Sequence, residues 1–298
     1  MIRLAHVSDV HLFCPKARWQ PGDWHSKRVT GWLNLRLLGR AWRFRHAASV
    51  LKALAEDIHQ RRPDCVIFSG DATALGFEEE LAEVTKLLRV GRPDGLGGLA
   101  VPGNHDYYTR RSAGSFLFEQ YFEPWLQGER VDNATYPFAR RVGPIWLVGV
   151  NSSTGNKWIW DATGRVGNEQ LDRLGRLLAS PQLAGAPRVL VTHYPVARAD
   201  GTPENRTHCL RDCPQVVEAA QDGAVGLWLH GHRHKPYHLP PSPECPIPSI
   251  CAGSGTQEGI WTYAEHNYDG GEWHVERRRY QPETQKFEAV DKFATKLA

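Results

Sequence analysis

Seven side chains able to ligate a divalent metal recur in short motifs along the chain. They are Asp9 and His11 in Ser-Asp-Val-His, Asp71 in Ser-Gly-Asp, Asn104 in Gly-Asn-His-Asp, His193 in Thr-His-Tyr, and His232 and His234 in Gly-His-Arg-His. Nearly every motif follows an apolar run that reads as a buried strand, so folding carries them to one edge of a sheet. The chemistry this supports is two-metal hydrolysis: ions about 3.5–4 Å apart hold a hydroxide ionised near pH 7 and polarise phosphate oxygens. Such a pair needs a bridging carboxylate. Asp71 is the natural candidate, standing after a strand-like run and next to Gly70, which lets the chain turn sharply. Asp9 and His11, two apart, point to one side of an extended segment and can grasp one ion together. His232 and His234 repeat that spacing. Asn104 supplies a neutral carbonyl oxygen, and His105 is left as a proton donor to the leaving group or a partner for a phosphate oxygen. Asp106 is placed to fix the tautomer of His105. Tyr107, Tyr108, Arg110 and Arg111 follow this turn and either hold a second phosphate or a ring, or form a solvated loop. His230 reads as the end of a buried strand.

The elements that must position these groups alternate along the chain. Strands are expected over residues 2–7, 64–69, 98–101, 145–150, 188–192 and 225–230, with apolar runs continuous enough for strands covered on both faces. Helices are expected between them. Residues 41–60 carry Phe44, Ala47, Ala48, Leu51, Leu54, Ala55 and Ile58 on one stripe. Residues 78–89 and 168–179 are similar, the second with Asn168 as N-cap. Asp269-Gly270-Gly271 separates two strand-like runs and predicts a hairpin over 260–280. The proline-rich stretch from Pro236 to Pro248 reads as a surface loop. The expected class is α/β, a layered sandwich.

Each motif alone is commonplace, but their order, each after a β-like run, is hard to obtain without a site. From Asp9 to His234 they resemble the calcineurin-like metallophosphoesterases. The resemblance implies a four-layer αββα sandwich with metals at the strand ends, and the final hairpin is compatible with it. It implies Asp9, His11, Asp71 and His234 around one ion, Asp71, Asn104, His193 and His232 around the other, and His105 as the acid. Many relatives carry His-His-Pro where this chain has His193-Tyr194-Pro195; the first histidine is the ligand there. Manganese, iron or zinc suits a mixed nitrogen and oxygen donor set without thiolate, with manganese the leading expectation.

Length and composition add limits. At 298 residues one catalytic domain over 1–288 is expected, with an insertion at 13–45 and a short tail at 289–298. No segment has the roughly 20 apolar residues of a bilayer span, and the chain opens directly on a strand-like run, so no signal peptide is expected. Six cysteines without C-x-x-C spacing favour a reduced cytoplasmic protein. Cys209 with Cys213, or Cys245 with Cys251, is the pairing left open.

Net charge is +3, yet residues 14–46 hold eight Lys or Arg against Asp23 alone, which leaves the remainder acidic. Nucleic acid is therefore a poor partner. The same segment carries Trp19, Trp24, Trp32 and Trp42. As a helix from Trp32 to Arg43 it sets Leu35, Leu37, Leu38, Ala41 and Trp42 opposite Arg36, Arg40 and Arg43. That apolar side either lies at an anionic membrane surface or against an acyl chain, or packs on the domain while the arginines are solvated. Within the family, the insertion with Gly-Trp-Leu-Asn looks comparable to the lipid A pathway enzymes that cleave UDP-2,3-diacylglucosamine at its pyrophosphate. The leading expectation is therefore a phosphodiester or pyrophosphate hydrolase acting on a lipid-linked nucleotide, cytoplasmic and peripheral at the inner face of the membrane. A cyclic-nucleotide phosphodiesterase of the cyclic AMP type shares the motif order. A catalytically idle phosphoesterase scaffold is the alternative of another class, though such scaffolds lose ligands and this chain keeps the full set.

Overall fold

The computed structural model describes residues 1–37 and 39–297. In chain order the elements are β1 (Ile2–Val7), α1 (Lys27–Leu37), α2 (Arg40–Arg43), α3 (Ala47–Arg61), β2 (Cys65–Phe68), α4 (Glu78–Leu87), β3 (Gly98–Ala100), α5 (Arg110–Ser115), α6 (Leu117–Tyr121), β4 (Glu129–Arg130), β5 (Phe138–Val142) and β6 (Ile145–Gly149). They continue as α7 (Asn168–Leu178), β7 (Arg188–Val191), α8 (Cys213–Asp222), β8 (Val225–His230), β9 (Tyr237–Leu239), β10 (Ser249–Cys251), β11 (Thr262–Tyr268), β12 (Trp273–Gln281) and β13 (Lys286–Thr295). Two mixed sheets result, β13-β12-β11-β1-β2-β3 and β4-β5-β6-β7-β8-β10-β9.

Side-chain alternation along the strands builds the layers. In β6, Ile145 and Leu147 enter the large core shared with β1, β2 and α3, whereas Trp146 and Val148 join a second cluster with α7 and α8. β7 divides in the same way, Val189 and Val191 from Leu190, and so does β8, Leu227 and Leu229 from Trp228. Helix α3 contributes Val50, Leu51, Leu54 and Ile58 to the larger core. Two sheets face to face with helices outside them give the αββα sandwich of the metallophosphoesterase fold. In each sheet a parallel block carries the chemistry: β1, β2 and β3 in one, β6, β7 and β8 in the other. Parallel strands deliver their C-terminal ends to one edge, where loops cluster and ligands bind.

Several expectations shift. The helix drawn from Trp32 to Arg43 begins instead at Lys27 and breaks at Gly39, whose φ of 75° no helix accommodates; Leu38 lies outside the described residues. The insertion packs through Leu35 against Ala74, Leu75, Phe77 and Tyr108, with Trp32 beside them. Leu37 and Trp42, drawn on the same face, are 74% and 68% exposed. The helix expected over 41–60 is interrupted between α2 and α3. Asn168 is the first helical residue of α7, not its cap; Gly167 takes that place and donates its N–H to Asp212 at 2.7 Å. The proline-rich loop includes the edge strand β9. The tail expected from residue 289 is mostly strand β13, paired along β12. Its charged, exposed face disguises the strand, while Phe287 is buried and Phe293 stacks on His238. All six cysteines are unpaired thiols.

Candidate metal centre

Asp9 and His11 follow β1, Asp71 follows β2, Asn104 follows β3, His193 follows β7, and His232 and His234 follow β8. All seven meet at one point of the sandwich edge. The nearest ligand atoms of Asp9, His11, Asp71 and His234 lie within 4.8 Å of one another. His234 Nε2 is 3.0 Å from His11 Nε2 and 3.3 Å from Asp9 Oδ1. In the adjoining group, Asn104 Oδ1 is 3.1 Å from both His193 Nε2 and His232 Nδ1. Asp71 Oδ2 joins the two groups, lying 3.4 Å from His11 Nε2 and 3.4 Å from His193 Nε2. One carboxylate oxygen shared by two donor sets is the geometry a bridging ligand requires.

These atoms fit cations for a reason of hydrogen-bond accounting. His193 Nδ1 donates to the Ser69 carbonyl at 2.8 Å, and His234 Nδ1 bonds Gln257 Oε1. Neutral imidazoles held in that way present bare Nε2 lone pairs to their neighbours. Lone pairs then face the carboxamide oxygen of Asn104 and the carboxylates, and Asp9 Oδ1 is buried without a hydrogen-bond donor. A cation must reconcile them. A proton is one choice: burial depresses His193, but Asp71 overrides it and raises the imidazole to about 9. A divalent ion is the other, and it satisfies more acceptors at once. For Asp71, burial opposes ionisation, yet His193, His105 and His11 hold it well below the usual carboxylate range. Burial and His193 keep His232 well below the ordinary histidine value, ready to ligate as a neutral ring.

The supporting residues differ from expectation in two respects. Asp106 does not set the tautomer of His105. Its Oδ2 accepts the amides of Asp71 and Gly103, each at 2.8 Å, and its Oδ1 the amide of Thr73 at 3.1 Å. It therefore clips the β2 and β3 loops together. His105 Nδ1 instead donates to the Ala74 carbonyl at 2.7 Å. The residues after that turn also separate. Tyr108 lines the cavity over the metal centre, but Tyr107 is buried and donates to Glu119 at 2.6 Å. Arg111 reaches away to Gln20 at 2.7 Å, and exposed Arg110 is not part of the cavity wall.

The cavity has a volume of about 300 Å³. Its floor is Asp71, Asn104, His105, His232 and His234; one wall is Lys27, Gly31 and Asn34 of α1, and the other is Ile159, Asp161 and Ala162 with His208 and Arg233. Sequence reading missed both walls. Lys27, Gly31 and Asn34 share one helical face at i, i+4 and i+7 of α1, but a helix begun at Trp32 leaves the first two outside it, and nothing said that this face meets the metal centre. The wall is rigidly held. Buried Arg28, beside Lys27, bonds Asp23 at 2.6 Å, the Leu75 carbonyl at 3.0 Å and Ser112 at 3.0 Å. Glu80 ties Cys14 to the start of α4 through backbone amides.

Comparison with known proteins places this geometry. Residues 2–236 match the family described as calcineurin-like phosphoesterase. Among solved structures, a dimetal phosphatase from Danio rerio superposes with a TM-score of 0.69 at 13% identity, covering 100% of this chain and 99% of its own. A purple acid phosphatase from yellow lupin seeds gives 0.62 at 13% identity, covering 99% of this chain and 53% of its own. GAP50, the anchor in the inner membrane complex of Plasmodium, gives 0.54 at 11%, covering 100% and 89%. No curated protein matches the sequence. With the family match spanning most of the chain and its donor groups gathered at one sheet edge, the protein belongs to the calcineurin-like phosphoesterases, metal-dependent hydrolases of phosphoesters.

Proposed function

We propose that the chain hydrolyses a phosphodiester or pyrophosphate bond in an amphiphilic substrate, with a lipid-linked nucleotide of the UDP-2,3-diacylglucosamine type as the leading candidate. The observation that carries the hydrolytic reading is Asp71 Oδ2 shared between two donor groups. Asp9, His11, Asp71 and His234 are assigned to one ion, and Asp71, Asn104, His193 and His232 to the other, manganese before iron or zinc. The ions supply a nucleophile at neutral pH and polarise the phosphate oxygens. His105 is the proton donor. Its Nδ1 is committed to the Ala74 carbonyl, so transfer to the leaving oxygen falls to Nε2, on a ring that lines the cavity. Asp106 acts through the loops it clips.

The amphiphilic reading rests on the rim. Trp158, Ile159 and Trp160 are 51%, 46% and 64% exposed, the two indoles stack at 5.2 Å, and Ile159 reaches the cavity. Exposed apolar groups beside a phosphate-sized site suit a substrate with a polar head and an apolar body. On this reading the enzyme works in the cytoplasm at the inner face of the membrane, with residues 13–45 as the peripheral contact. None of the described helices is long and apolar enough to cross a membrane.

A screen with the manganese-loaded protein tests the proposal, using phosphate monoesters, cyclic AMP, nucleotide sugars and detergent-dispersed UDP-2,3-diacylglucosamine. Preference for the lipid-linked diphosphate is the expected outcome. Faster turnover of cyclic AMP would move the assignment to a cyclic-nucleotide phosphodiesterase. No turnover of any phosphoester would leave an idle scaffold.

A further inference from the structure

Among the described residues, three charged side chains outside the candidate ligands and His105 line the cavity, and their partners differ. Asp161 bonds Arg211 at 2.8 Å, and Arg233 bonds Glu204 at 2.9 Å. Lys27 has no such counterion: among the described residues no carboxylate lies within ion-pair reach of its ammonium, which sits 4.7 Å from the centre of the Tyr108 ring. Burial costs it accordingly and brings it down to about 8, while Asp161 and Asp71 pull the other way from a distance. A half-buried cation left with an aromatic face is a group prepared for an anion that arrives later.

The position is structural rather than incidental. Lys27 opens α1, one turn before Gly31 and two before Asn34, all on the cavity wall. At Gly31 a Cβ would lie 2.1 Å from Tyr108 Oη, so only glycine lets the helix approach the tyrosine beneath Lys27. The neighbouring Arg28 is locked among Asp23, Leu75 and Ser112, which fixes the first turn of the helix. A long ammonium side chain on a fixed base thus lines the same cavity as the candidate ligands.

We propose that Lys27, with Asn34 two turns along the same wall, binds a second anionic group of the substrate next to the scissile phosphate, and so selects diphosphate-type substrates over simple phosphate esters. The proposal deepens the hydrolase reading and rests on it for the meaning of "scissile". The Asn34 carboxamide, on the same wall, can donate a neutral hydrogen bond. Arg110 and Arg111, the basic residues that follow the Gly-Asn-His-Asp motif, face elsewhere and do not compete for the role.

The test is calorimetric, on the manganese-loaded full chain. Two probes are compared: UMP, and uridine 5′-methylenediphosphonate, a UDP analogue that resists hydrolysis. In Lys27→Met, affinity for the diphosphonate falls about tenfold or more, the scale of one lost charge-assisted hydrogen bond, while affinity for UMP changes less than about threefold. Lys27→Arg retains most of the diphosphonate affinity, since it keeps the charge, and Lys27→Gln takes the place of the methionine variant if that one misfolds. In turnover, KM for UDP-glucose rises in Lys27→Met more than KM for bis(p-nitrophenyl) phosphate. Equal losses for both probes, or an unchanged diphosphonate affinity, would overturn the inference even in a fully active enzyme. A wild-type protein that hydrolyses nothing yet shows the calorimetric contrast would sink the hydrolase reading and leave Lys27 as the anion-binding residue.

Discussion

A non-glycine residue in the left-handed region costs about 1–2 kcal/mol, yet Asp9, His11, Asp71, His232 and His234 take φ values of 53, 47, 60, 69 and 58°. Strain concentrated on five of seven candidate ligands marks a site whose geometry the surrounding fold enforces. It also changes the backbone geometry expected of these candidate ligands. The two-residue spacing of Asp9 and His11 suggests an extended segment with both side chains on one side, whereas both residues stand in the left-handed region beyond β1. The identities were legible because few residue types ligate metals; the conformation was not, because only packing of the β1, β2 and β8 loops against one another imposes it. Asp106 was misread for the same reason, since a carboxylate next to a histidine in sequence need not touch it. Asp71 sits at the junction, so Asp71→Asn should lower metal content below two ions per chain by elemental analysis and reduce turnover at least about 100-fold. The metal must also displace the proton that Asp71 holds on His193 up to about pH 9. Below that value the histidine is increasingly protonated, so manganese affinity should weaken as pH falls, by about tenfold per pH unit for this one proton. Isotherms at pH 6.5 and 8.5 that coincide would rule out proton competition at His193.

Helix α1 shows how an element outside the core becomes part of the chemistry. Its sequence already carried the amphipathic signal, but propensity alone extended the helix through Gly39 and started it too late, at Trp32 instead of Lys27. Where the helix docks depends on the buried Arg28 anchor and on Leu35 entering the cluster with Leu75, Phe77 and Tyr108. Those partners lie more than thirty residues downstream, beyond the reach of local pattern. The strands of the parallel blocks were legible because they are continuous apolar runs covered on both faces. β13 was not, because Lys286–Thr295 buries only Phe287 among charged and exposed residues at a sheet edge and looks like a solvated tail. The docking of α1 has its own test. Gly31→Leu places a side chain where Tyr108 Oη stands 2.1 Å from the new Cβ. Overpacking of this kind costs about 1–3 kcal/mol, and relief comes from moving α1 off the cavity. The expected result is a modestly lower melting temperature, unchanged metal content and a raised KM. A Gly31→Leu enzyme with wild-type KM would mean that the helix is not a wall of the working site.

Across the molecule, charge and apolar exposure are both unevenly distributed. The basic excess is confined to residues 14–46, within a chain of net charge +3, and the same region exposes Trp24, Leu37 and Trp42. The segment containing exposed Trp158, Ile159 and Trp160 joins it at the cavity, through Ile159 on one wall and Asn34 on the other. Cations interleaved with tryptophan around a phosphate-sized opening suit an anionic lipid surface, where indoles settle at the headgroup level and lysine or arginine adds about 1 kcal/mol each. The charge contribution is screened by salt, because the Debye length falls from about 10 Å at 0.1 M to about 3 Å at 1 M, whereas the indole contribution is not. The two can therefore be separated on vesicles. Wild-type protein should sediment with phosphatidylglycerol vesicles and much less with phosphatidylcholine, and should lose most of that binding in 1 M salt. A Trp158→Ser, Trp160→Ser variant should bind more weakly at both salt concentrations, with KM for the dispersed lipid-linked diphosphate rising at least tenfold more than KM for bis(p-nitrophenyl) phosphate. If both proteins ignore vesicles and share one KM for the lipid, the exposed rim has no part in substrate capture, and the preferred substrate must be sought among water-soluble diphosphates.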